Sequence, residues 1–222
     1  MENKCKLEIV FGSSRIVGLA GEKDVGKTNN LMALLKDFRQ QNKETPIYVY
    51  GLNETTLNWV KKLGNLFEVS SLEQLSNKSD SLIIIDEMQK LKLNDKRYKD
   101  VLNAFIDFIY HNNNWVILSS PNVREFNSVI GSKIERWALK TIKCSNLVNG
   151  SHLKDAVYNY NGRYKSINDI DIDYNKILII NQDFEQEIEL EYIKEIDNKI
   201  NLQNIFKVRK KSEKSQNGKT VN

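Results

Sequence analysis

The 222-residue chain contains no run of about 18 apolar residues, so it offers no candidate membrane-spanning helix. Its first residues, MENKCKLEIVF, lack the basic-then-apolar order of a secretory signal. It has two cysteines, Cys5 and Cys144, which fit neither a metal-ligand spacing nor a disulfide framework. It also has two histidines, His111 and His152, which stand outside any metal or triad constellation. His111 suits the C-terminal end of a helix better than a ligand set. No internal repeat is visible. These absences predict a reduced, cytoplasmic protein.

Charge of one sign is missing from most of the chain as well. Residues 207–222 hold six Lys/Arg and a single acid, Glu213. Removing them from the chain's 33 Lys/Arg and 29 Asp/Glu leaves 27 against 28. The formal charge of +4 therefore belongs to a polar tail that the composition predicts to be disordered. That tail reads either as a salt-sensitive contact for nucleic acid or as a solubilising terminus.

Strand and helix signals alternate along the rest. Two apolar runs around GSS (12–14) predict an N-terminal hairpin whose second strand enters the loop GLAGEKDVGKTNN (18–30). From Lys27 onward, Leu31, Met32, Leu34, Leu35 and Phe38 recur at helical spacing. PIYVY (46–50), LFEVS (66–70), SLIIIDEMQ (81–89), WVILSS (115–120) and RWALKTI (136–142) read as strands. TTLNWVKKL (55–63), SLEQL (71–75), RYKDVLNAFIDFIYH (97–111) and VREFNSVI (123–130) read as helical. Trp59, Trp115 and Trp137 fall within these elements and read as core.

The continuous apolar run before Asp86 is what a central parallel strand, covered on both faces, requires. The fold class is thus α/β, a mainly parallel sheet flanked by helices. Three units are expected: a core over 1–143, a β-containing extension over 144–206, and the tail over 207–222. Within the extension, Asn161-Gly162 predicts a hairpin and KILII (176–180) a strand.

Gly21-Glu22-Lys23-Asp24-Val25-Gly26-Lys27-Thr28 matches G-x-x-x-x-G-K-[ST] between an apolar strand and a helix start. Glycines let backbone N–H groups curl around a β-phosphate, Lys27 reaches the β/γ oxygens, and the Thr28 hydroxyl ligates Mg²⁺. The following helix aims its N-terminus at the anion, and Asn29 lies just beyond the motif. Glu22 and Asp24 occupy variable positions whose side chains can point away from a nucleotide. The expected nucleotide contacts run from Gly21 to Asn29.

A second motif complements the first. Asp86 ends an apolar strand where it can reach the metal's hydration shell, and Glu87 is placed to polarise a water for in-line attack on a γ-phosphate. The alternatives fit less well. No arginine cluster of a kinase lid is visible, and Asp86-Glu87-Met88-Gln89 lacks the glycine of a GTPase D-x-x-G element. NKSD (77–80) imitates a guanine-reading motif but precedes the acidic strand instead of following it.

Across roughly residues 15–143, GEKDVGKT, LIIIDEMQ and NNWVILSSPNVREFNSVIGSKIERWALKTI resemble the ASCE class of P-loop ATPases. Within that class they resemble most the HerA/FtsK group of DNA-translocating motors, including small viral and phage genome-packaging ATPases. The resemblance implies a RecA/ASCE-like fold with an extra strand between the two motifs, ATP and Mg²⁺ as cofactors, and a homo-oligomeric ring acting on DNA. The group's third motif strand usually ends in a glutamine that senses the γ-phosphate. Here Ser119-Ser120-Pro121-Asn122 leaves Ser120 or Asn122 for that task. Arg124 and Arg136, with Arg97 behind them, are candidates for an arginine acting on a neighbouring subunit. The competing expectation is a nucleotide-gated adaptor that contacts a protein partner through 144–222.

Overall fold

The computed structural model describes residues 5–22, 25–88, 96–126 and 128–141. Beyond these it describes 144, 148, 151, 153, 157–160, 163–170, 172, 176–180 and 185–196. The basic tail, His152 and the Asn161-Gly162 pair lie outside the described residues.

Strand β1 (Ile16–Gly21) and strand β4 (Leu82–Ile85) are buried along their whole lengths. Successive side chains point to opposite faces, so each strand feeds two cores. Ile83 and Ile85 join one core with Phe105, Ile106 and Ile109 of α4 (Lys96–His111). Leu82 and Ile84 join the other, with Leu31, Leu34 and Leu35 of α2 (Lys27–Gln41) and Leu57 and Val60 of α3 (Glu54–Val60). Apolar burial on both faces removes the alternation a half-exposed strand would show, which is why these segments read as unbroken apolar runs.

β2 (Ile47–Tyr50), β3 (Leu66–Glu68), β5 (Trp115–Ser120) and β6 (Arg136–Lys140) complete the parallel part of the sheet. β9 (Lys176–Ile180) and β10 (Glu185–Glu189) extend it antiparallel, giving the order β10-β9-β6-β1-β5-β4-β2-β3. β5 pairs in parallel with β1 on one side and with β4 on the other. The strand expected between the two motif strands is therefore present. The residues beyond 143 contribute two strands to this same sheet, and β7 (Val157–Tyr160) with β8 (Arg163–Ser166) forms a separate antiparallel pair.

Two expectations need correction. The N-terminal hairpin is absent: Lys6–Phe11 forms a helix, α1, before β1. Leu7, Val10 and Phe11 bury one face at i, i+3, i+4 spacing, and the Lys6 N–H donates to Asp37 Oδ2 of α2 at 2.6 Å. The run is apolar in both readings, but helical burial against α2 decides it. VREFNSVI is not one helix either. It divides into a 3₁₀ turn over Val123–Glu125, capped by the Asn122 side chain, and the short α5 (Ser128–Gly131).

Among the described residues no helix is long and apolar enough to cross a membrane. Cys5 and Cys144 are both buried and stand outside any disulfide. Trp137 lies in the core, edge-on to Phe126 at 4.9 Å, Trp115 stacks under the Arg15 guanidinium at 4.4 Å, and Trp59 packs against the core on the α2 face.

Candidate nucleotide site

All parallel strands end at one edge of the sheet, and the chemistry-bearing residues collect there. Gly26 caps α2 in the left-handed region, at φ 83°, which lets the loop turn directly into the helix. Lys27 and Thr28 open that helix. Lys23 and Asp24 lie outside the described residues. Glu22 is drawn sideways: its carboxylate accepts a hydrogen bond from Thr141 Oγ1 at 2.7 Å, just past the end of β6.

Asp86, just beyond β4, is 4 % exposed. Its Oδ2 accepts from the Thr28 hydroxyl at 3.2 Å, and its Oδ1 from the Glu87 N–H at 3.1 Å and from the Ser119 hydroxyl of β5. A buried carboxylate is thus held by both partners of the sequence motif and by a serine from the intervening strand. Gly51, after β2, lies against Asp86. It has φ 83°, and a Cβ there would collide with the Asp86 carbonyl oxygen. Glu87 adopts φ 53°, a left-handed conformation uncommon for a non-glycine residue. Such conformations persist only where surrounding structure enforces them, and they gather at functional sites.

Further along β5, Ser120 is fully buried, and its hydroxyl has no hydrogen-bond partner among the described residues. It pairs in register with Ala20, one residue before Gly21. Asn122 is otherwise engaged, its Oδ1 accepting from the Glu125 N–H at 3.1 Å to cap the turn. Arg124 lies exposed in that turn, at the end of β5 nearest the loop.

Arg136 begins β6, at the opposite end of the sheet. Its Nη1 donates to the Ile9 carbonyl of α1 at 2.9 Å, which makes it a fastener of α1. For Arg97 only the helix position is described. NKSD is also remote from the loop, beside the start of β4. There the Lys78 carbonyl accepts from Asn114 Nδ2 at 3.0 Å, and Asp80 Oδ1 accepts from Asn113 Nδ2 at 2.7 Å.

On the other flank of β1, Lys140 pairs with Gly21 and is 2 % exposed. Its Nζ donates to the Lys176 carbonyl at 2.9 Å, linking β6 to β9, and burial pushes its pKa down to about 8 from 10.5. Asn29, the residue after Thr28, is buried and bonded through its side chain to Ile193, 2.7 Å from Asn29 Nδ2 to the carbonyl and 3.0 Å from the Ile193 N–H to Oδ1.

Sequence reasoning did not assign roles to Ser119, Gly51, Lys140 or Thr141. For Ser119 a signal existed in the two consecutive serines ending an apolar strand. For the others the contact partners lie far away in the chain.

Among the described residues no group of three or more His, Cys, Asp or Glu could form a metal cage by itself. Thr28 and Asp86 offer hard oxygen donors from two elements at one point, which fits a small divalent cation completed by phosphate oxygens and water.

The strand order, with β5 separating the loop strand from the acidic strand, defines an ASCE-type P-loop NTPase fold. Solved structures share it. The DNA-packaging ATPase B204 from Sulfolobus Turreted Icosahedral Virus is 14% identical, with 81% of this chain covering 98% of that one at a TM-score of 0.58. The pCW3 conjugation coupling protein TcpA, solved as a monomer with ATPγS, is 10% identical, and 88% of this chain covers 65% of it at 0.55. EccC (ATPases 2 and 3) of Thermomonospora curvata, in complex with a signal sequence peptide, is 13% identical, and 86% of this chain covers 40% of it at 0.54. No protein-family model and no curated protein sequence matches the chain.

Proposed function

We propose that the protein is a Mg²⁺-dependent ATPase that works as a homo-oligomeric motor on DNA. The observation that carries the ATPase reading is the meeting of Thr28 and Ser119 on the buried Asp86 carboxylate, directly before Glu87. Backbone N–H groups from Gly21 to Asn29 cradle the phosphates, and the Lys27 ammonium neutralises charge on the β/γ oxygens. Thr28 and Asp86 would hold Mg²⁺, which would supply neutralisation of phosphate charge. The Glu87 carboxylate accepts the proton of the water that attacks the γ-phosphorus, as the bond from that phosphorus to the β,γ-bridging oxygen breaks and ADP leaves. The Ser120 hydroxyl reports on the γ-phosphate. The absence of a partner for it among the described residues favours it over Asn122. Arg124 is the better-placed arginine for a neighbouring subunit's site, because Arg136 is bonded to α1.

The motor reading draws on the DNA-packaging and conjugation roles of the structures that share this fold, and on the basic tail. Mass photometry of Glu87→Gln protein with ATP, with and without DNA, checks it together with steady-state hydrolysis. Rings that form with ATP, and hydrolysis that rises when DNA is added at low salt, are the expected results. No stimulation by DNA in any assembly state would sink the motor. A second reading is an adaptor that recruits a protein partner through 144–222. The peptide held by EccC favours it, and a partner-stimulated ATPase indifferent to DNA is its signature.

A further inference from the structure

Thr28, Asp86 and Ser119 lie on the side of β1 that faces β5 and β4. A triphosphate with its γ-phosphate at that point extends its nucleoside the other way, toward β6. The segment after β10, Leu190–Ile196, arrives from that side and crosses α2. Lys6 Nζ donates to the Glu189 carbonyl at 3.0 Å, Lys36 Nζ pairs with Glu191 at 2.8 Å, and Ile193 is bonded reciprocally to Asn29, directly after Thr28. Leu190 and Ile193 are buried, whereas Tyr192 between them is 36 % exposed. The paired amide bonds, made in a buried position, fix both the depth and the register of the segment against the first turn of α2.

We infer that Leu190–Ile193 is the nucleoside-side wall of the nucleotide site, with Tyr192 as the aromatic surface for the purine and Asn29 as the residue that positions it. The inference rests on the ATP reading above. A flat aromatic flanked by two buried anchors offers a π-face at little cost in side-chain order, which is what a purine ring needs. Asn29 acts through Ile193 and does not itself touch the base.

Equilibrium titration of the full chain with ATP and, separately, with inorganic tripolyphosphate tests the inference. Tyr192→Ala should weaken ATP about tenfold, the lower range for losing one base–aromatic stack, and change tripolyphosphate by less than about twofold. Tyr192→Phe should restore ATP binding. Asn29→Ala should reproduce the ATP-selective loss. Tyr192→Ala protein that binds ATP like the wild type, or that loses both ligands equally, overturns the wall. Lys27→Ala separates the two levels of argument. If that variant keeps both ligands, the phosphate loop itself has been misread. If it loses both while Tyr192→Ala loses neither, only the wall fails.

Discussion

Two strands flank β1, and both end in buried polar residues at the same edge of the sheet. β5 ends in Ser119 and Ser120, and β6 ends in Lys140 followed by Thr141. Their partners separate them. Ser119 bonds to the Asp86 carboxylate, and the buried Ser120 hydroxyl has no partner among the described residues. Lys140 reaches a backbone carbonyl of β9, and Thr141 restrains Glu22. Buried polar groups stand on both flanks, so burial alone does not mark a catalytic group. The identity of the partner does. In the function proposed above, the β5 flank serves chemistry, whereas the β6 flank holds the loop and the C-terminal strands in place.

Substitutions on the two flanks should therefore separate activity from stability. The largest effect lies at the site itself. Lys27→Ala should abolish hydrolysis, and Glu87→Gln should lower turnover by about 10²–10⁴-fold while retaining ATP, as removal of a general base does. Glu87→Gln protein with wild-type turnover in a phosphate-release assay would remove that carboxylate from the mechanism. Next comes Ser119→Ala, which removes one of the two donors to Asp86 Oδ1 and leaves the Glu87 N–H. It should reduce turnover by about 10- to 100-fold, the range for losing an outer partner of a metal ligand, with little change in the denaturant midpoint.

On the β6 flank the main effect moves to stability and pH. The folded pKa of Lys140 lies below its unfolded value, so between pH 8 and 10.5 the unfolded chain binds the extra proton. Stability from this group consequently rises with pH across that window. Lys140→Met should gain at most about 3 kcal/mol over wild type at pH 7, less what the lost hydrogen bond contributed, and the difference should shrink as pH approaches 10.5. Urea unfolding of both proteins at pH 7 and 10 measures it, and a gap indifferent to pH would contradict the burial argument. Smallest is Glu22→Ala. Loss of the Thr141 bond should cost about 1 kcal/mol of stability. ATP affinity should change less than about twofold. A large loss of ATP binding in this variant would erase the distinction between the flanks.

Much of the fold was legible because both motif strands are buried on two faces and therefore read as apolar runs. Leu82–Ile85 and Trp115–Ser120 were recognisable for that reason. Lys6–Phe11 was not, since six apolar-rich residues suit a strand or a helix, and only packing against α2 chooses between them. In the candidate site, Gly21 to Thr28 and Asp86-Glu87 were readable as contiguous patterns. Arg136 illustrates the opposite case. Its sequence position suggested an arginine acting between subunits, yet a bond to Ile9, 127 residues away, assigns it to α1.

The sequence by itself determined the G-x-x-x-x-G-K-T pattern of Gly21–Thr28 and the Asp86-Glu87 pair at the end of an apolar run, because each is a contiguous stretch recognisable from residue type and spacing. Only the tertiary structure decided that Ser119 restrains Asp86 and that Asn29 clasps Ile193, 164 residues away. Those are contacts between strand ends and helix turns remote in the chain. Local periodicity records which face of an element is buried, but not what it is buried against.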